Sequence, residues 1–139
     1  MRYLVLLVAF LCRASLCCAT EPQPGTYVIL PKDHPRLDFE SAYRTGRADA
    51  TRDVGRGYLA VEEFGRMVVW QDDYAKIAKQ RFGVHVKTVA GCIVDEEIVG
   101  HAKGYNEISE AAIKRKFGRD VLVDARVAAS ERWEKSRNK

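Results

Sequence analysis

The sequence predicts a single α+β domain in which about four helices pack on a small, mostly antiparallel sheet, and three observations carry that expectation. Residues Val84 to Ala90 alternate at period two, with His85 and Lys87 on the face turned from the core. Ile98, Ala102, Tyr105, Ile108 and Ala112 recur at intervals of 4, 3, 3 and 4, which is the stripe of a core-facing helix. Tyr58–Val61 and Met67–Trp70 are both β-prone and flank Glu62–Arg66, which contains a glycine turn, so the two segments resemble a hairpin.

The chain opens as an export signal. Arg2 precedes an apolar run from Tyr3 to Cys12, followed by small residues up to Ala19 and a polar, proline-rich stretch. The run falls short of the roughly 20 apolar residues that span a bilayer. Residues 1–19 therefore read as a signal peptide cleaved after Ala19, in preference to lipid anchoring at Cys17 or Cys18, and the mature protein is expected to be secreted or periplasmic with no stable membrane span. Cleavage removes Arg2, Arg13 and three of the four cysteines, so the net charge falls from +4 to +2 and Cys92 remains alone. No intramolecular disulfide framework is then available.

Residues 20–35 read as an N-terminal arm, because its prolines withhold ladder donors. Within it Thr26–Leu30 is β-prone and suits one short strand whose apolar side chains pack on the body. Residues 36–135 form the expected domain, and 136–139 a frayed basic tail. The first helix runs from Leu37 to Ala50 behind Asp38 as N-cap. Arg44, Arg47, Arg52 and Arg56 alternate with acidic residues, a pattern read as a solvated face and not an anion site. Gly55-Arg56-Gly57 leads into a strand, whereas a phosphate-cradling loop leads into a helix.

Asp72 and Asp73 suit the start of a second helix that Gly83 stops, Asp95 caps the long third helix that Gly118 stops, and Asp120 caps the last. In the third helix Gly100 and Gly104 each cost about 0.5–1 kcal/mol relative to alanine. Close approach of a strand or another helix explains them, or else a bare backbone that lets a ligand or partner reach Tyr105 and Asn106. Residues 114–139 carry nine basic and four acidic side chains, so the C-terminal end is a basic surface on a mildly acidic body.

The functional candidates cluster between Thr88 and Asn106. Cys92 and His101 stand nine residues apart across a strand-to-helix junction, and a histidine close to a thiol could hold it as thiolate, with Asn106 orienting the imidazole. Against this, Asp95, Glu96 and Glu97 surround the junction with negative charge. His85, Cys92 and His101 lack the spacing of a zinc site, so neither a metal nor a cofactor is expected. Nucleic acid is not an expected partner, since no groove-entering or aromatic basic motif is present. The leading expectation is a small non-enzymatic binding module for another protein or an envelope component. Its contact residues are read as Trp70, Tyr74, Tyr105 and Asn106, or the basic Lys114, Arg115 and Lys116. The alternative is a thiol-dependent enzyme using Cys92 with His101, and a third reading is an inter-chain disulfide through Cys92.

Overall fold

Parallel pairing, and not a hairpin, joins the two strands. The computed structural model describes residues 35–138; the expected signal peptide, nearly all of the N-terminal arm and Lys139 lie outside the described residues. Strand β1 (Leu59–Phe64) pairs with β2 (Val84–Ala90) in register Leu59 to Val84 and Glu62 to Lys87. Helix α2 (Gln71–Phe82) makes the crossover between them. The expected antiparallel sheet is thus corrected to a two-stranded parallel one among the described residues. Met67–Trp70 is not its second strand. It is a turn, closed by the Gln71 amide donating to the Val68 carbonyl at 3.0 Å, that feeds α2. Glu62 and Glu63, which read as turn residues, lie inside β1, because Glu62 meets His101 and Glu63 meets Gln71 and Arg126. Paired carboxylates are tolerated where bare ones are not.

Helices α1 (Phe39–Gly55), α3 (Glu96–Phe117) and α4 (Val121–Arg137) complete the chain order. Because side chains alternate along a strand, the two faces of β1 enter separate cores. Leu59 and Val61 pack with Tyr74 and Ile77 of α2 and with Val121, Leu122 and Ala125 of α4. Ala60 packs with Ala50 of α1 and Tyr105 of α3. The result is a layer of α1 and α3, the sheet, and a layer of α2 and α4.

The caps follow the sequence. Asp38 accepts from the Ser41 amide at 2.8 Å, Asp95 from the Ile98 amide at 3.0 Å, and Asp120 from the amides of Leu122 and Val123. Gly83 and Gly118 stop α2 and α3 in the left-handed region, with φ of 66° and 68°. α1 runs past Ala50 to Gly55, and α4 remains helical through Arg137.

The tightest contact is the crossing of α1 over α3. A Cβ at Gly46 would stand 2.1 Å from the His101 carbonyl oxygen, and one at Gly104 would stand 2.1 Å from that of Tyr43. Gly100 meets the Phe39 carbonyl in the same way, at 2.4 Å. Backbone approach explains the glycines of α3, and no open channel to Tyr105 is needed.

Candidate functional site

The crossing brings two helix faces over the sheet. Asp49 and Asp53 lie one turn apart on α1, and His101 and Tyr105 one turn apart on α3, so each pair shares a face. Beneath them Glu62 of β1 and Lys87 of β2 are partners in the strand register.

These side chains form one polar network. His101 Nδ1 lies 2.8 Å from Glu62 Oε2, and its Nε2 lies 3.4 Å from Asp49 Oδ2. Glu62 is only 6% exposed, so its charge needs this partner. The hydrogen bond to Glu62 raises the His101 pKa above its ordinary value, with Asp49 adding to the effect and burial opposing it. Tyr105, 1% exposed, donates its hydroxyl to Asp53 at 2.7 Å and accepts from Lys87 Nζ at 3.2 Å. Burial and the Asp53 carboxylate push the Tyr105 pKa up, so the hydroxyl stays protonated. The Lys87 ammonium stands 3.5 Å from Asp53 and lies over the rings of Tyr105 and Tyr58, at 4.4 and 5.2 Å from their centroids.

Asn106 acts on a backbone. Its Oδ1 accepts the Glu62 amide at 2.7 Å, and its Nδ2 donates to the Glu62 carbonyl at 2.7 Å. One turn later the Ser109 hydroxyl donates to the Ala60 carbonyl. α3 therefore seals the outer edge of β1, satisfying ladder groups that would otherwise stay unpaired.

The chemistry of this cluster is that of mutual neutralisation. Each cation faces a carboxylate, and the Tyr105 proton is held between them. Both ring nitrogens of His101 face carboxylates, and Asn106 is spent on β1. Neither residue is left to serve Cys92, whose thiol is exposed on the turn after β2. Among the described residues no group of three His, Cys, Asp or Glu side chains is arranged to hold a metal.

The expected contact residues divide in a similar way. Tyr74 is fully buried and Tyr105 nearly so, because both rings fill cores beside β1, and neither can present a ring to a partner. Trp70 is half-buried against the α2–α4 core, and Asn106 is half-buried at the sheet edge. Lys114, Arg115 and Lys116 are exposed in the last turn of α3, where they oppose its negative end.

Sequence reasoning missed Asp49, Asp53, Glu62 and Lys87 as partners of His101 and Tyr105. The four-residue spacing of the two aspartates was the signal available. It also missed an apolar surface at the C-terminal ends of the strands. Val69 is 73% exposed and Ile93 93%, and Phe64, Met67, Val68 and Val94 are exposed beside them. The two loops that carry them touch: the Gly65 amide donates to the Gly91 carbonyl at 3.0 Å, and the Thr88 hydroxyl contacts Met67 Sδ at 4.0 Å. Charges of both signs lie nearby: Asp72 and Asp73 in the first turn of α2, Asp95, Glu96 and Glu97 at the start of α3, the exposed Arg66 within the first loop, and Arg36, which pairs with Asp95. Among the described residues no helix is long and apolar enough to cross a membrane. Comparison of the chain with protein-family models, with curated proteins and with solved structures found no match.

Proposed function

We propose that the chain is a secreted or periplasmic, non-enzymatic interaction module that docks another protein through the loops Met67–Val69 and Ile93–Val94. The observation that carries this reading is the exposure of Ile93 and Val69 on adjacent loops, 93% and 73%. Isolated exposed apolar residues are ordinary, but a larger group on touching loops is a mark of contact surfaces. In parallel sheets the C-terminal strand ends, where these loops lie, are also the usual place for ligands. The basic turn of Lys114–Lys116 lies at the other end of α3, roughly 30 Å away, and takes no part in this surface.

The test places a photo-crosslinking side chain at Val69, at Ile93 and, as a control, at Lys135 in the producing cells. One protein adduct common to the first two positions, absent from the control and lost in Val69→Asp, is expected. Absence of an adduct, or the same adduct from Lys135, refutes the reading.

A further inference from the structure

We propose that His101 is a proton-operated latch, closed while its ring holds two protons, that ties the C-terminal half of α1 to α3 and β1. The geometry requires both protons. Nδ1 faces Glu62 Oε2 at 2.8 Å and Nε2 faces Asp49 Oδ2 at 3.4 Å, and an ionised carboxylate can only accept. A neutral imidazole has a single N–H to offer, so one of the two bonds is lost with the proton.

Burial decides which bond goes. The Glu62 side chain is 6% exposed and its backbone is clamped by Asn106, so it cannot turn to water, and a buried carboxylate without a donor is costly. Asp49 is 35% exposed and has the Arg52 guanidinium at 2.8 Å as a second partner. The proton therefore passes from Nε2 to solvent, while Nδ1–H stays on Glu62. The bare Nε2 lone pair then faces the Asp49 carboxylate, two acceptors that repel, and α1 loses this tie to α3. Among the described residues the other charged and titratable groups around the ring come from three elements. Asp53 of α1 and Lys87 of β2 neutralise each other on the Tyr105 hydroxyl, and Glu97 lies one turn before His101 on α3. The bond to Glu62 holds the ring's pKa above its ordinary value of about 6.5. The latch is thus closed below the folded pKa and opens as pH rises through it.

The two halves of α1 are held differently. Up to Gly46, which lies against the His101 carbonyl, the helix is pinned by backbone contacts of Phe39 with Gly100 and of Tyr43 with Gly104. Tyr43 and Arg47 add bonds to Glu107. Beyond the crossing Ala50 and the half-buried Val54 supply the apolar contacts. The polar ties there are Asp49 to His101 and Asp53 to Tyr105 and Lys87. Proton loss at His101 removes one of these ties, so the last two turns of α1 open more often while the crossing holds.

Nitrogen NMR of the His101 ring in the full mature chain tests the first half of the proposal. Two N–H groups are expected below the titration midpoint, and above it an Nδ1–H ring with Nε2 bare; the opposite tautomer overturns the proposal. Amide exchange on either side of that midpoint tests the second half, each rate being divided by that of an unstructured chain at the same pH. Protection at Asp53 and Val54, whose amides span the last turns of α1, should fall at least threefold more than at Ala129 of α4. An equal fall at all three overturns the latch, since only global stability would then have changed. In Asp49→Asn the side-chain amide accepts from Nε2–H and donates to bare Nε2, so it bonds the ring in either state. Protection at Asp53 and Val54 should then no longer follow the ring's titration, and a fall as large as in the unaltered chain overturns the proposal.

Discussion

Gly104→Ala tests whether the two helix backbones touch as closely as the structure has them. The added Cβ would stand 2.1 Å from the Tyr43 carbonyl oxygen and 2.9 Å from its carbon, against the 3.4 Å or more of ordinary contact. Relief therefore needs a separation of about 1.3 Å between the backbones of α1 and α3, and no side chain can move aside to provide it. Overpacking of this kind costs about 1–3 kcal/mol and sometimes more. The gain in helix propensity from glycine to alanine returns at most about 1 kcal/mol. A net loss of up to about 2 kcal/mol is expected in urea unfolding, with a fall in Tm of roughly 4–8 °C for each kcal/mol lost. Gly46→Ala should behave alike. The double variant should cost less than the two single losses together, because one separation of the helices relieves both clashes. Gly55→Ala is the control: nothing lies within 4 Å of its Cβ, and a slight gain in stability is expected. If Gly104→Ala is as harmless as Gly55→Ala, the close crossing is refuted.

Three further outcomes follow from the polar network and its surroundings. The folded protein raises the His101 pKa, so its stabilising contribution is fully present below the unfolded value of about 6.5 and is lost as pH rises through the folded value. The urea midpoint should therefore fall between pH 6 and 9 by an amount that Glu62→Gln largely removes; an identical fall in that variant would refute the pairing. Asn106→Ala removes both bonds to the Glu62 backbone and should cost about 2 kcal/mol in urea unfolding, and a loss below about 0.5 kcal/mol would show that the edge of β1 has no need of it. Cys92 is exposed and His101 is engaged by carboxylates, so a maleimide should label the native thiol without unfolding, at a rate that His101→Ala leaves unchanged. A marked slowing in that variant would restore the thiol–imidazole pair.

Local chemistry made much of the fold legible. Asp38, Asp95 and Asp120 cap the helices expected of them, and Gly83 and Gly118 stop theirs, because caps and left-handed stops act within one turn. That 84–90 forms a strand was legible from its composition, although its burial does not alternate because both faces are partly covered. Strand pairing was not, since Met67–Trp70 has the composition of a strand but the position of a turn, and composition carries no information about which segment lies beside which. Glu62 and Glu63 misled most: adjacent carboxylates read as solvent-facing until His101 and Arg126, distant in sequence, are brought to them. Lys87 is the mirror case. It was expected to face away from the core, yet the layer of α1 and α3 lies on that side too, and turns an exposed lysine into the partner of Asp53 and Tyr105. The candidate site was legible only in part, because His101 and Tyr105 were visible as helix neighbours whereas their carboxylates come from α1 and β1.

The clamp that Asn106 places on Glu62 touches peptide groups alone. A helix that recognises a strand by its side chains ties the two sequences together, so that a change in one demands a change in the other. The Asn106 clamp is independent of the side chain at position 62, which α3 reads separately through His101. A one-residue slip of β1 would bring Val61 or Glu63 into the same slot, and each carries an amide and a carbonyl that Asn106 grips equally well, so the penalty for a slip falls on the side chains that change face. The asparagine thus holds the edge of the strand and leaves its alignment to the side chains of its two faces.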